Sequence, residues 1–167
     1  MSKVYVFFAD GFEEIEGLTV VDLLRRADVE TVMVSIMSDK TVMGAHHIPI
    51  IADGLFEDYN YSDGDMLVLP GGMPGTNNLM VHEGLRDELF IYRNANKYMA
   101  AICAAPSVLG MNEMLRGKKA TCYPGFEDKL LGAEVTPMGV VTDGNIITGK
   151  GMGTAIDFAA RSGRAHV

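Results

Sequence analysis

Short apolar runs alternate with segments of helical periodicity along most of the chain, and this alternation constrains the fold more than any other feature. The strand-like runs are KVYVFF at 3–8, ETVMVSIM at 30–37, DMLVLP at 65–70, YMAAI at 98–102 and KKATCY at 118–123. Helical patterns lie over 15–27, from about 78 to 94, from Cys103 to about Leu115, and from about Thr154 onward. Strands that alternate with helices form βαβ units. The pattern predicts one α/β domain over residues 1–167, with a mostly parallel sheet and helices on both faces.

Three segments depart from this alternation. Residues 41–54 and 133–149 have the pattern of short strands joined by turns, and TDGN within the second is a typical hairpin sequence. We expect both segments to form β-hairpin additions to the sheet. After Ala160 the apolar period stops and the polar tail RSGRAHV follows, so the last helix is predicted to end near that residue.

The charge balance and the cysteine count narrow the class of protein. The chain has 14 Lys and Arg against 22 Asp and Glu, a net charge of −8, without a basic stripe, which disfavours binding to nucleic acid. No apolar run approaches the roughly 20 residues that span a membrane, and the first residues lack the apolar length of a secretory signal. We therefore expect a cytoplasmic protein whose two cysteines, Cys103 and Cys122, are free thiols.

Cys103 stands where a predicted strand ends and a helix begins. The first N–H groups of a helix lack intrahelical partners and carry the positive end of its dipole. A thiolate at this position is stabilised, so we predict a lowered pKa and a reactive thiol. The alternative is that Cys103 only fills space, as buried cysteines often do, and Cys122 is expected to be a structural thiol of that kind.

Three loops follow predicted parallel strands and should meet at their carboxyl ends, where doubly wound sheets bind ligands. They are ADGFEEIE at 9–16, LPGGMPGTNN at 69–78 and ICAAP at 102–106. The glycines of the second loop let backbone N–H groups approach a ligand oxygen, so this loop and the N–H after the cysteine are a candidate oxyanion hole. The alternative is a tight turn. The Lys-Ser/Thr ending of a Walker loop is absent.

Three carboxylates stand at the start of the first predicted helix. Glu13 and Glu14 are expected to do no more than favour the helix dipole. Glu16 lies among apolar residues, and we expect it to turn inward toward Cys103. An ionised carboxylate there would oppose the thiolate, whereas a protonated one would donate a hydrogen bond to it, and a carboxyl group buried beside a reactive thiol is expected to have a raised pKa.

Four motifs, ADGFEEIE, LVLPGG, AAICAAP and ITGKGMGT, follow one another over nearly the whole chain and resemble the DJ-1/ThiJ/PfpI superfamily, in particular its DJ-1-like branch. The resemblance implies a flavodoxin-like sandwich, a homodimer and a cysteine at a strained nucleophile elbow. It assigns the nucleophile to Cys103 and the buried acid to Glu16. It assigns the oxyanion hole to the N–H groups of Gly72 and Ala104. Further candidates to line the site are Gly71, Tyr123 and His46.

Three features depart from the family pattern. Protease-like and amidotransferase-like relatives carry His directly after the nucleophile, where this chain has Ala104, so peptidase and amidotransferase activities are disfavoured. The DJ-1-like branch often has a site His where this chain has Tyr123, a poor base at neutral pH. His46 and His47 are candidate substitutes, with a surface or packing role as the alternative. The tail from about residue 161 replaces a longer family helix, which would remove part of the usual dimer surface.

The resemblance, taken together with the residues, implies three alternative functions. The first is a glyoxalase-like or deglycase-like enzyme that acts on reactive aldehydes and dicarbonyls, or on their adducts, and protects against oxidative stress. No metal or organic cofactor is predicted, since the chain has no CxxC, HExxH or dinucleotide fingerprint. The second is a redox-sensing or chaperone-like stress protein whose Cys103 is oxidised to the sulfinate. The third is a role in thiazole monophosphate biosynthesis, an older label of the family.

Overall fold

The computed structural model describes residues 2–165 of the chain, in which strands and helices alternate. The strands are β1 (Lys3–Phe8), β2 (Glu30–Ser35), β3 (Thr41–Met43), β4 (Pro49–Ile51), β5 (Gly54–Leu55), β6 (Met66–Leu69), β7 (Tyr98–Ile102), β8 (Lys119–Ala120), β9 (Glu134–Val135), β10 (Val140–Asp143) and β11 (Ile146–Gly149). The helices are α1 (Glu14–Arg26), α2 (Gly75–Val81), α3 (Glu83–Asn94), α4 (Pro106–Met111) and α5 (Ala155–Arg164). None of these helices has the length and apolar character needed to cross a membrane.

Seven strands form the central sheet in the order β10-β11-β7-β6-β1-β2-β5. Every neighbouring pair is parallel except β10 with β11. The prediction of an α/β domain with a mostly parallel sheet is confirmed. After β1 the chain adds β2 on one side, and β6, β7 and β11 are added on the other, so the strand order reverses beside β1. Doubly wound sheets bind ligands at such a switch point, at the carboxyl ends of the strands.

Both faces of the sheet are covered, which explains why its strands are almost continuously apolar. Val4, Val6 and Phe8 of β1 pack on one face with residues of α1 and α5. Tyr5 and Phe7 pack on the other face with residues of α3 and α4. All five side chains are at most 1% exposed. The result is the flavodoxin-like sandwich that the resemblance implied, with the sheet between two helical layers.

Both predicted hairpins form, but only one of them lies outside the central sheet. β3 and β4 pair antiparallel as a separate two-stranded sheet, as predicted for 41–54. β10 and β11 also pair antiparallel, through a turn in which Gly144 has a φ of +60°. However, β11 is buried and pairs in parallel with β7, so this hairpin completes the central sheet. The pattern of 133–149 could not show this, because the pairing partner lies elsewhere in the chain.

Two helix boundaries differ from the predictions. The segment 78–94 is two helices rather than one, because the backbone of His82 is extended, with a ψ of 105°. Its ring Nδ1 accepts a hydrogen bond from the N–H of Leu85 at 3.0 Å, which caps the start of α3. The helix after the cysteine, α4, ends at Met111 rather than at about Leu115.

The last third of the chain contains two further differences. The predicted strand at 118–123 is limited to β8, which pairs with β9 outside the central sheet. α5 continues past Ala160, because its inner face still packs against the core. Ser162 is fully buried there, and its hydroxyl donates to the C=O of Phe158 at 2.9 Å. The end of the tail, 166–167, lies outside the described residues.

Candidate active site

Cys103 occupies a strained turn between β7 and α4. Its φ is +65°, in the left-handed region that residues other than glycine seldom adopt. Two backbone hydrogen bonds hold the turn. The N–H of Cys103 donates to the C=O of Gly149 at 2.9 Å, and its C=O accepts from the N–H of Tyr123 at 2.8 Å. Such strain persists only where the surroundings over-determine the backbone, and it is concentrated at functional sites.

Glu16 reaches the same point from the first turn of α1. It is buried, with 1% of the residue exposed. Its Oε2 accepts from the N–H of Gly71 at 3.0 Å, and its carboxyl group is hydrogen-bonded to the thiol of Cys103. Burial raises the pKa of Glu16 to about 7, and the two hydrogen bonds oppose this shift. The structure therefore brings Glu16 and Cys103 together, and Glu16 turns inward as predicted.

The prediction of a lowered pKa for Cys103 is wrong. Burial and the adjacent Glu16 raise the pKa of the thiol to about 12, while the N–H groups of Gly72 and Ala104 oppose the shift. The prediction rested on the helix dipole, which burial and the carboxyl group beside the sulfur outweigh. Because a thiolate and a carboxylate in contact repel each other, the pair keeps a proton. When Glu16 carries this proton, its carboxyl group donates to the thiolate.

Gly71 and Gly72 adjoin this pair. A Cβ at Gly71 would lie 2.5 Å from Cβ of Cys103 and 2.6 Å from Oε2 of Glu16, so only glycine fits between the two groups. Gly72 has a φ of +92°, and its N–H, like that of Ala104, is hydrogen-bonded to the thiol of Cys103. Two N–H groups that converge beside a nucleophile are positioned to bind a developing oxyanion.

Tyr123 stands beside this turn and lines an adjoining depression. Its residue is 50% exposed, and it borders a cavity of about 260 Å³. Lys150, Gly151 and Met152, which follow β11, form another wall of that cavity. Met152 also borders a second depression, of about 250 Å³, beside the start of α1. Met152 is not among the residues predicted to line the site, although it lies within the motif ITGKGMGT that carried the resemblance.

The loop between β3 and β4 places His46 against the first turn of α1. Its Nδ1 is 2.8 Å from Oε2 of Glu14 and 3.5 Å from Oε2 of Glu13. Its backbone N–H donates to Oε1 of Glu14 at 2.7 Å. Glu14 is buried, so the expectation that it only faces the helix dipole is wrong. The contact joins residues 32 positions apart, and no local pattern in the sequence marks it.

The pKa values of Glu14 and His46 both shift in favour of the charged form of each residue. Burial opposes the ionisation of Glu14, but hydrogen bonds from His46 and from the backbone outweigh it and lower the pKa of Glu14. The same contact with Glu14 raises the pKa of His46. Within residues 2–165, no hydrogen bond or ion pair links His46 to Cys103. His47, the other candidate substitute for a site histidine, is exposed.

Cys122 has a different setting from Cys103, although both cysteines are free thiols, as predicted. It is 3% exposed, and burial raises its pKa to about 11. It packs within the apolar core on one face of the sheet. Its burial in the core agrees with the prediction of a structural thiol, whereas Cys103 is partly exposed and stays the candidate nucleophile.

Comparison with known proteins gives consistent matches over nearly the whole chain. The model of the DJ-1/PfpI family matches residues 2–163. An Arabidopsis thaliana protein named DJ-1 homolog B is 34% identical over 158 residues, which cover 94% of this chain but only 36% of that protein's length. A Pyrococcus abyssi protein named a deglycase is 30% identical over 150 residues. The match covers 89% of this chain and 89% of that protein.

The fold has close structural likenesses as well. The solved structure of oxidized Toxoplasma gondii DJ-1 superposes with a TM-score of 0.93 at 33% sequence identity, over 97% of this chain and 89% of that one. The family match includes the turn at Cys103, the first turn of α1 with Glu16, and the glycine loop after β6. On the fold, the site and these matches together, the chain belongs to the DJ-1/PfpI family.

Proposed function

We propose that this chain is a cysteine-dependent enzyme that converts small reactive dicarbonyls, or releases them from adducts, without a bound cofactor, and so protects against oxidative stress. The observation that carries the proposal is the contact between Cys103 and Glu16, with the N–H groups of Gly72 and Ala104 at the same sulfur. The relative from Pyrococcus abyssi that is named a deglycase supports the same class of reaction.

In the first step the Glu16 carboxylate takes the thiol proton, and the resulting Cys103 thiolate attacks the aldehyde carbon of a dicarbonyl such as methylglyoxal, which forms a C–S bond. The carbonyl electron pair moves to oxygen, which the N–H groups of Gly72 and Ala104 bind. Glu16 then gives its proton to that oxygen, and the product is a hemithioacetal. An amine adduct enters at the same point when the thiolate displaces the amine, which leaves with a proton.

In the second step the Glu16 carboxylate removes the C–H proton of the hemithioacetal, and the electron pair forms an enediol. Return of a proton to the neighbouring carbon gives a hydroxyacyl thioester, and water cleaves its C–S bond to release lactate and the thiol. One carbon is oxidised and its neighbour is reduced, so the balance needs water alone. A carboxyl group with a pKa of about 7 is suited both to give and to take protons near neutral pH.

A second candidate function is redox sensing through the same cysteine. The Toxoplasma gondii relative was solved in an oxidized form, which favours this alternative. Peroxide would oxidise the Cys103 thiolate to the sulfenic acid and a second peroxide would give the sulfinate, with one water released each time. The protonated Glu16 would then donate a hydrogen bond to a sulfinate oxygen. A sensor of this kind reacts once, whereas an enzyme turns over.

Steady-state loss of methylglyoxal and appearance of lactate test the proposal. The wild-type chain is compared with Cys103→Ser, and Cys122→Ser is the matched control, with the buffer-catalysed rate subtracted. We expect multiple turnovers in the wild type and in Cys122→Ser, and none in Cys103→Ser. Consumption of no more than one equivalent by the wild type would contradict an enzyme and leave the redox function.

The assembly and location of the protein are also proposals. An apolar groove of about 380 Å³ between α1 and α5 supports a homodimer, because apolar surface of this kind marks an interface. Its lining residues are Leu23, Leu24, Ala27, Ile156, Ala159, Ala160, Gly163 and Arg164. Light scattering of the wild type beside Ile156→Lys, at a position that is 69% exposed, tests the dimer. A wild type that stays monomeric would exclude it. A cytoplasmic location and a thiazole-related role stay predictions.

A further inference from the structure

A cluster of three metal-ligating side chains lies outside the Cys103 site, at the contact between the start of α1 and the loop that joins β3 to β4. It consists of Glu13, Glu14 and His46, each of which offers one ligand atom, and these atoms all lie within 4.8 Å of one another. The mechanism above uses none of the three. We propose that they form a binding site for a divalent transition metal ion of the Zn²⁺ class.

The spacing of the ligand atoms supports this proposal. Bonds from Zn²⁺ to nitrogen or oxygen are about 2.0–2.2 Å, so two ligands of one tetrahedral ion lie about 3.4 Å apart. Nδ1 of His46 is 3.5 Å from Oε2 of Glu13 and 2.8 Å from Oε2 of Glu14. The distance to Glu13 matches such an edge, whereas the distance to Glu14 is that of a hydrogen bond and would lengthen when an ion replaces the proton.

The charge of the cluster also favours a cation. A single carboxylate, that of Glu14, already satisfies the imidazole and the backbone N–H of His46. Glu13 adds a second negative charge at the same nitrogen, which an ion pair with one histidine does not need. Among the residues described here, His46 is the only cationic partner within ion-pair distance of Glu13 or Glu14. A divalent ion would balance both carboxylates.

The backbone holds the two halves of the cluster in register. The N–H of Gly11 donates to the C=O of Met43 at 2.7 Å, and the N–H of Ala45 donates to the C=O of Phe12 at 2.8 Å. These bonds tie the loop after β1 to the end of β3 and the loop that follows it, directly before the ligands in both segments. A site whose ligands are already positioned loses less entropy when it binds an ion.

The site leaves room for further ligands of the ion. The side chain of Glu14 is 7% exposed and that of Glu13 is 14% exposed, whereas the side chain of His46 is 66% exposed. The three residues border the depression of about 250 Å³ that Ile15, Ile48 and Met152 also line. Three protein ligands with one open side are the usual arrangement of a zinc ion that binds water or a small ligand in its fourth position.

Calorimetric titration of the metal-free chain with Zn²⁺ tests the site without any substrate, so the result is independent of the proposed turnover. We expect one equivalent to bind, with affinity at least tenfold lower in His46→Asn and in Glu13→Gln. His47→Asn changes the adjacent exposed histidine and is the matched control. Cys103→Ser controls for binding by the thiolate, and both controls should bind as the wild type does. Circular dichroism establishes that each variant is folded.

Co²⁺ provides a second readout in the same proteins. We expect a visible absorption spectrum of cobalt with nitrogen and oxygen ligands, which is lost in His46→Asn, and no thiolate-to-cobalt charge-transfer band. Three results would overturn the site: no saturable uptake of one Zn²⁺ by the wild type, equal affinity in the wild type and in His46→Asn, or loss of binding in Cys103→Ser.

Discussion

Two buried carboxylates in the first turn of α1 have opposite properties. Glu14 and Glu16 are two positions apart and are only 6% and 1% exposed, yet the pKa of Glu14 is lowered and that of Glu16 is raised to about 7. Glu14 faces an imidazole and backbone N–H groups, whereas Glu16 faces a thiol and a single backbone N–H. Burial alone therefore does not set the charge of a carboxylate. The partner that another loop supplies decides it.

Substitution of Glu16 by Gln should have the largest effect. The amide keeps a hydrogen-bond donor beside Cys103 but cannot transfer a proton, so we expect kcat/KM for methylglyoxal to fall about 100-fold. Asp22→Asn, an exposed carboxylate on the same helix, is the control and should leave kcat/KM unchanged. Unaltered turnover in Glu16→Gln would remove Glu16 from the mechanism and, with it, the functional meaning of its raised pKa.

The second-largest effect should be on the pH dependence of stability, in which Glu14 and Glu16 contribute with opposite sign. The pKa of Glu16 rises from 4.5 to about 7 on folding, so the native state holds a proton that the unfolded state loses in this window. The contribution of Glu16 to the free energy of unfolding is therefore fully present at low pH. It is lost as the pH rises from about 4.5 to 7. Glu14 has the opposite sign, because its lowered pKa gives stability that is lost as the pH falls.

Chemical denaturation of the wild type and of Glu16→Gln at pH 5 and pH 7 measures this difference. Between pH 5 and pH 7 the wild type should lose about 2 kcal/mol of unfolding free energy that Glu16→Gln keeps, because the amide does not titrate. Glu14 and His46 are present in both proteins, so their titration cancels in the comparison. A difference that does not change with pH would show that Glu16 ionises normally in the native state.

Substitution of two glycines should have the smallest effects. Each of these glycines makes space for one of the two carboxylates. Gly71→Ala should lower kcat/KM about tenfold, since its Cβ would press on Cys103 and Glu16. A Cβ at Gly44 would instead overlap the carboxylate of Glu14, so Gly44→Ala should cost about 1 kcal/mol of stability and change kcat/KM by less than about threefold. Equal losses of activity in the two variants would show that the two groups are coupled.

The sequence predicted the central sheet and the edge at which the site lies, because apolar runs report burial on both faces and parallel strands end at a common edge. The meeting of Glu16 with Cys103 was expected from the inward position of Glu16 and from the resemblance to relatives. Its opposition to the thiolate was expected only as one of two alternatives, that of an ionised carboxylate. The pKa of Cys103 depends on the depth of the turn and on a carboxyl group 87 positions earlier in the chain, and neither is a local property.

Other parts of the structure were not predictable from local pattern. The contact of His46 with Glu14 depends on how the hairpin of β3 and β4 lies against α1. The break at His82 depends on one backbone angle within an otherwise continuous helical pattern. In each case the deciding partner or angle is set by tertiary packing, which overrides the periodicity of the segment.

The hydrogen bond from Cys103 to Gly149 has a consequence for the order in which the protein is synthesised. The acceptor belongs to the end of β11, so the strained turn is held only after the last strand has left the ribosome and paired with β7. At about 5–20 residues per second, the newly made cysteine waits some seconds for this partner. A nascent chain therefore has no finished turn at Cys103, and the special geometry of its thiol exists only after β11 has been synthesised and has paired with β7.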